Sequence, residues 1–322
     1  MRVVVTGAGG FIGGAVTRAL RARGDDVAAV VRDPARAQAL GELGVELVRG
    51  DLSSEDELAS QLTGADALVH MAGSYRTGIL PAERPAMENA NVGTTTRVLD
   101  AAIAARTPRI VYTSSVTVFG NTHGVIVDEA YQRDLSQGFL TWYDETKYRA
   151  HVIAEERIGQ GAPIVIAMPG GVYGPGDHSE AGEQVALAHA GKLPYLALSD
   201  CGIAWVYVDD VARGIVEVLD GGRLGERYIL SGAALRLRDG ILIGARLGGK
   251  RPPRFTMPTT VLRALVPINR RFGAVMGMPP NLAETISAAA GVTYWASAAK
   301  AERDLGFTAR DLESGLRATF GA

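Results

Sequence analysis

Tyr143 and Lys147 stand four residues apart in the stretch TWYDETKYRA, in a chain that holds only four lysines. On a helix, residues i and i+4 share a face, so one helix can present a phenol and an ammonium together. A free phenol, with a pKa of about 10, is a poor base at neutral pH, and a nearby cation favours its phenolate. The pair is either a catalytic acid with its electrostatic helper or an aromatic and a cation that merely share a helix face. The spacing alone decides nothing.

A second stretch with chemical content opens the chain. VVVTGAGGFIGGAV reads as a strand, a glycine turn and a helix start, with Gly7, Gly10 and Gly13 three apart. The first glycine permits a tight turn, the second lets backbone approach a pyrophosphate, and the third lets helix pack on strand. With Gly9, Phe11 and Ile12 they would set the free N–H groups and positive end of a helix against phosphate. An ordinary Gly-rich turn is the bland alternative, but the strand–turn–helix context favours a dinucleotide.

The second strand bears on which dinucleotide. An NAD site commonly ends this strand in a carboxylate that bonds the ribose 2′-hydroxyl. Here AAVVRDPARA puts Val31 at that place and Arg32 after it. An arginine pairs with a 2′-phosphate, which a carboxylate would repel. The reading is NADP(H), with NAD as the alternative and Arg36 as a second contact. Otherwise Arg32 is a solvated turn residue beside Asp33. Asp51 and Leu52 follow the third strand, at the rim of the expected adenine pocket.

These groups need elements to hold them. β-Branched runs at 2–6, 26–31, 45–49, 67–70, 109–114 and 164–168 alternate with segments of helical spacing, such as Val16, Ala19, Leu20 and Val92, Thr96, Leu99, Ile103. Strands separated by helices predict an α/β fold, a Rossmann-type doubly wound parallel sheet. After about residue 173 the regularity breaks into Pro- and Gly-rich pieces. Residues 1–172 are therefore expected to form the nucleotide-binding domain, with 203–232 returning to it. Residues 173–202 and 233–322 would form a smaller, mainly helical substrate-binding domain at the C-terminal edge of the sheet. The stretch 255–292 is expected to close the substrate pocket.

Composition narrows the function classes. A formal net charge of −2 gives no basic field for nucleic acid. No apolar run is long enough to span a bilayer, and no signal peptide is read, so a cytoplasmic protein is expected. The single cysteine, Cys201, excludes an internal disulfide, and five scattered histidines predict no metal site.

Further pieces line up in order: HMAGS (70–74), NVGTT (91–95), YTSSVTVFG (112–120), then Tyr143 and Lys147, and finally VYVDDVARGI and YWASAAKAERDLGF. With TGAGGFIG they resemble the extended branch of the short-chain dehydrogenase/reductase superfamily, the NAD(P)-dependent epimerases and dehydratases, over nearly the whole chain. The resemblance implies hydride transfer at a carbonyl carbon, with Tyr143 giving or taking the proton on oxygen. Lowering a phenol from about 10 toward neutrality takes roughly 4 kcal/mol of differential stabilisation, expected from Lys147 and the positive nicotinamide. Lys147 would also bond the nicotinamide ribose. Ser115 would hold the substrate oxygen, and Asn91 matches the family's structural asparagine unless it merely caps a helix. Met71, Ala72, Gly73, Thr113, Pro169, Gly171 and Val172 fall where relatives contact the cofactor. Relatives also lead to the expectation of a homodimer through the helices near 89–105 and 143–158.

Departures from the family pattern bear on substrate. Val116 and Thr117 replace the Asp-Glu pair of sugar 4,6-dehydratases, which argues against dehydration. Epimerases often carry an arginine and an asparagine in R-P-x-N-V-Y-G-P, where this chain has Met168 and Gly171. They often carry Arg-Asp-Phe where it has Ile203, Ala204 and Trp205. Arg251, Arg254, Arg270 and Arg271 could compensate for the lost clamp on a diphosphate. The VVRDP segment resembles dihydroflavonol-4-reductase-like reductases. Ser74, Tyr75, Phe119, Trp142, Tyr173 and Trp205 are the candidate lining of an apolar pocket, each with core packing as its alternative. The reading is an NADP(H)-dependent reductase of a ketone or aldehyde on an apolar scaffold, reversible to alcohol oxidation. Its alternatives are a nucleotide-sugar epimerase with tightly held cofactor and a non-catalytic NADP-binding regulatory protein.

Overall fold

A computed structural model describes residues 1–272 and 279–321. Seven parallel strands form the main sheet, in the order β3-β2-β1-β4-β5-β6-β9: β1 (Arg2–Thr6), β2 (Asp26–Val31), β3 (Glu46–Arg49), β4 (Ala67–His70), β5 (Ile110–Thr113), β6 (Ile164–Pro169) and β9 (Arg227–Leu230). The order reverses at β1, which makes the sheet doubly wound. Strands buried on both faces must be apolar throughout, and VVV, ALV and IVIAM are. Val3 and Val5 face a core shared with α1 (Phe11–Arg23) and a later helix, Val208–Gly221. Val4 faces the other core, with α2 (Glu55–Leu62), α3 (Thr94–Ala104) and α4 (Trp142–Gly159). Each fully buried Val, Leu or Ile contributes about 1.5–3 kcal/mol.

The second lobe is mainly helical, as expected, but it also holds a sheet that the sequence expectation did not include. β7 (Gly171–Tyr173), β8 (Gly202–Tyr207), β10 (Ala234–Arg236) and β11 (Thr293–Tyr294) form a small mixed sheet centred on β8. The chain does not return to the large sheet at residue 203. β8 stays in the small sheet, and the return begins with helix Val208–Gly221, which packs on α1, followed by β9. Helix α5 (Glu180–His189) follows β7 and packs on the helix Leu237–Leu247. Of 255–292, residues 273–278 lie outside the described residues, as do the Arg270 and Arg271 side chains. Helix Leu282–Ala289 of that stretch packs on the loop after β4, where Asn281 N–H donates to Gly78 O (2.9 Å).

Candidate active site

The C-terminal ends of the parallel strands form one edge, and the residues expected to hold a dinucleotide lie along it. Gly7–Gly13 turn from β1 into α1. Arg32 and Arg36 follow β2, Asp51 and Leu52 follow β3, and Met71, Ala72 and Gly73 follow β4. Thr113 ends β5, Pro169 ends β6, and Gly171 and Val172 lie in β7. Gly7 has φ +79°, and a Cβ there would lie 2.6 Å from Ala72 N. A Cβ on Gly13 would overlap the Gly7 carbonyl oxygen. These contacts draw the turn tight, closed by Gly10 N–H to Gly7 O (3.0 Å). No side chain caps α1 at Gly10, so its first N–H groups suit an anion, and the cradle fits a pyrophosphate.

At the adenine rim, Asp51 accepts from Ser53 N (2.9 Å) and Oγ (2.5 Å), bonds that hold its carboxyl below the usual range. Leu52 has φ +62°, a conformation that costs a non-glycine residue about 1–2 kcal/mol. Its carbonyl is held by Arg97 Nε (2.9 Å). Arg36 pairs with Asp33 (3.4 Å), which leaves Arg32 exposed and without an ion pair among the described residues. The sheet adds a cation that sequence reading missed. Arg49, exposed at the end of β3, pairs in register with Val31 and brings a second guanidinium to the same corner. Only the strand pairing reveals it.

Helix α4 carries Tyr143 and Lys147. It starts where it does because Thr141 caps it, its Oγ1 accepting from Asp144 N (2.9 Å). Glu284, from the helix over the cleft, accepts from Trp142 N (2.7 Å). Lys147 Nζ donates to Thr113 O (3.1 Å) and lies 5.3 Å from the Tyr112 ring centroid. Tyr143 meets Tyr75 edge to face, centroids 4.9 Å apart. Ser115 Oγ lies 2.9 Å from Thr117 Oγ1 and accepts from Thr117 N (3.2 Å).

Burial dominates the electrostatics of both groups. Burial pushes the Tyr143 phenol up to about 12, with hydrogen bonding from Ser115 opposing it and the Asp144 charge adding to it. Burial also draws Lys147 down to about 8. Tyr143 keeps part of its surface in the cleft, yet the protein displaces most of the water that would solvate a phenolate. Lys147 gives one of its N–H groups to the Thr113 carbonyl.

Asn91 is no helix cap. It lies in a π-turn (Asn89–Gly93) inside a run that continues as α3. Its Oδ1 accepts from Ser74 N (2.7 Å), and its Nδ2 donates to Ser74 O (3.0 Å) and Thr146 Oγ1 (3.0 Å). It therefore locks the loop after β4 to α4. It positions the site without facing the cleft, being 2% exposed.

Of the expected pocket aromatics, Tyr75 is at the cleft and 55% exposed. Trp142 is half-buried, its indole N–H given to Arg84 O (3.1 Å) and its ring covered by the Arg84 guanidinium. Phe119, Tyr173 and Trp205 are mostly buried, although Tyr173 and Trp205 each show an edge to a cavity beside Asp177. They are 3–4% exposed, Phe119 packing on Tyr131 and Tyr173 against Trp205 and Tyr207. Burying each ring in the core gains more than leaving it on a solvated wall. Among the described residues no helix is long and apolar enough to cross a membrane, and no group of three or more His, Cys, Asp or Glu side chains could hold a metal ion.

Comparison with known proteins finds a family and similar folds. The family model described as NAD dependent epimerase/dehydratase family matches residues 3–230. A protein of Synechocystis sp. named "Putative dihydroflavonol 4-reductase" is 30% identical over 320 residues, covering 97% of this chain and 91% of that one. The crystal structure of gox2253 superposes with a TM-score of 0.84 at 30% identity, over 99% of this chain and 96% of that one. A nucleoside-diphosphate-sugar epimerase from Pseudomonas aeruginosa superposes with a TM-score of 0.78 at 25% identity, over 100% and 96%.

Proposed function

The chain belongs to the NAD dependent epimerase/dehydratase family, in the extended short-chain dehydrogenase/reductase superfamily, and on that premise we propose that it is an NADP(H)-dependent reductase. Its substrate is a ketone or aldehyde on a largely apolar small molecule, with alcohol oxidation as the reverse reaction. The observation that carries this reading is the contact of Gly171 with Ile203, at the two places where epimerases often carry an asparagine and an arginine. Tyr143, its phenol pushed up to about 12 by burial, keeps its proton at neutral pH as a general acid must.

A bound nicotinamide would supply the hydride. The chain does the rest. Ser115 steadies the substrate oxygen, and Tyr143 delivers a proton to it as negative charge develops. Lys147, four residues on, keeps a positive charge near that proton below about pH 8. Arg32, with Arg49 beside it, supports a cofactor bearing a 2′-phosphate. Gly171 and Ile203, both half-buried, leave an apolar wall where family relatives often place amide and guanidinium groups.

The likeness to a nucleoside-diphosphate-sugar epimerase favours a second reading, an epimerase that keeps its cofactor and shows no net turnover of it. Ser115, Tyr143 and Lys147 standing on one edge speak against a non-catalytic cofactor-binding protein. Purified protein mixed with NADPH and a panel of neutral carbonyl compounds, beside a panel of nucleotide sugars, separates the readings. Stoichiometric NADPH loss on carbonyls is the expected result. Sugar interconversion without NADPH loss would overturn the reductase reading.

A further inference from the structure

The cleft wall in front of Tyr143 carries charge that the reductase chemistry does not use. Tyr75 packs edge-on against Tyr143, and two residues later Thr77 Oγ1 donates to Glu180 Oε1 (2.8 Å). The loop beside the catalytic phenol is thus bonded to the first turn of α5. Glu180 is exposed as a residue, while its carboxylate is turned onto Thr77. Asp177, just before the helix, accepts from Ser179 N (2.8 Å) and Oγ (3.1 Å), and Ser179 Oγ in turn accepts from Gly182 N (3.0 Å).

A helix N-terminus opening on a cleft is ordinarily a favourable place for a ligand's phosphate or carboxylate. At α5 that place is closed by the chain's own acids, Asp177 and Glu180, with Glu183 following in the same turn. Tyr75 is half-exposed, yet its phenol is held above its ordinary value, first by the water that the surrounding protein displaces, then by Tyr143, Glu180 and Asp177.

Resting on the reductase reading, we propose that Glu180 and Asp177 select substrate by charge: the site takes uncharged carbonyl compounds and rejects those bearing phosphate or carboxylate. A ligand anion entering this wall meets two carboxylates and a helix end already satisfied. The apolar Gly171–Ile203 wall offers it no cation in return.

The test uses the full chain, NADPH and neutral aryl and alkyl ketones, each paired with an analogue carrying a carboxylate, at low ionic strength. The wild-type protein should prefer the neutral member in kcat/KM by roughly fivefold or more, as expected for one charge a few ångströms beyond contact. Added salt should narrow the gap. Glu180→Gln keeps an acceptor for Thr77 and removes the charge, so it should shrink the preference, and Glu180→Lys should reverse it. Equal rates on both members, or a preference untouched by either substitution, would overturn the charge selection and leave the reductase reading standing. No NADPH oxidation with any neutral ketone would overturn the reductase reading, and the charge selection with it.

Discussion

Gly171 and Ile203 occupy one another's space. β7 pairs with β8, and a Cβ on Gly171 would overlap the Ile203 Cγ2 methyl. In family terms these are two separate departures, the loss of an asparagine and of an arginine. In the structure they are one packing event, because a β-branched side chain at 203 leaves room only for glycine at 171. Gly171→Asn alone should destabilise the protein by about 1–3 kcal/mol through overpacking. Adding Ile203→Ala should recover part of that cost, a coupling of about 0.5–3 kcal/mol measurable by urea unfolding of the two single variants and the double. Strictly additive losses would show that the two positions are independent.

Tyr143→Phe removes the proton and little else, since the ring still packs on Tyr75. Carbonyl reduction should fall by about 10²–10⁴-fold, the usual worth of a positioned acid. NADPH affinity, followed by its fluorescence, should stay near the wild-type value. Turnover close to wild type would remove Tyr143 from its role.

The pH profile follows from two groups. Tyr143, at about 12, stays protonated across the working range and imposes no limb of its own below that value. Lys147, at about 8, loses its charge as pH rises through that value, and without the cation the phenol becomes a weaker acid. Reductive kcat should be level from pH 6 to roughly 8 and decline above it. Lys147→Arg, whose guanidinium stays charged, should move the decline to higher pH in whatever activity it retains. A rate already falling tenfold per unit from pH 6 to 7 would contradict this assignment.

Cofactor choice rests on the corner where β2 and β3 end. Arg32→Asp should weaken NADPH binding at least about tenfold while changing NADH binding far less, because it removes a charge-assisted bond to a 2′-phosphate and adds repulsion. Arg49→Ala should lower NADPH affinity in the same direction by a smaller factor. Arg36→Ala should do little, since Arg36 is 89% exposed and already leans on Asp33. Equal losses for both nucleotides would show that neither arginine reads the phosphate.

What the sequence disclosed and what it hid divide along physical lines. Six of the seven main-sheet strands were legible, most plainly those buried on both faces, which must be apolar from end to end, as VVV and IVIAM are; β9, the short RYIL, was not among the expected runs. Chain order in a doubly wound sheet puts Gly7, Ser115 and Tyr143 on the same edge, while the roles expected of Ser115 and Tyr143 come from the family resemblance. The stretch IAWVYV also reads as a strand, but nothing in it says that it joins the small sheet. Phe119, Tyr173 and Trp205 pack inward, since an aromatic near a site in sequence carries no mark of the face it takes. Arg49 beside Val31, and Thr77 on Glu180, are contacts between distant segments with no periodic signature. Such relations exist only once the chain has folded.

A further contact supports the helix that carries Tyr143. Arg133 and Asp144 are nearly sealed from water, with side chains 6% and 1% exposed. Arg133 Nη2 donates to Asp144 Oδ2 (2.8 Å) and to Gly138 O (2.9 Å), and Leu140 N also donates to that carboxylate (2.9 Å). The guanidinium lies 4.4 Å over the Phe139 ring. Asp144→Ala would strand a buried cation and should cost about 3–5 kcal/mol. Replacing both partners, Asp144→Leu with Arg133→Met, should cost distinctly less, because no uncompensated charge remains. Asp144→Asn keeps an acceptor for Leu140 N and serves as the kinetic probe. The Asp144 charge holds the Tyr143 phenol up, so its removal should lower that phenol. Alcohol oxidation, which needs the deprotonated phenol, should then set in at lower pH than in the wild type. An unchanged oxidative pH profile in a folded Asp144→Asn protein would show that the ion pair only braces the helix.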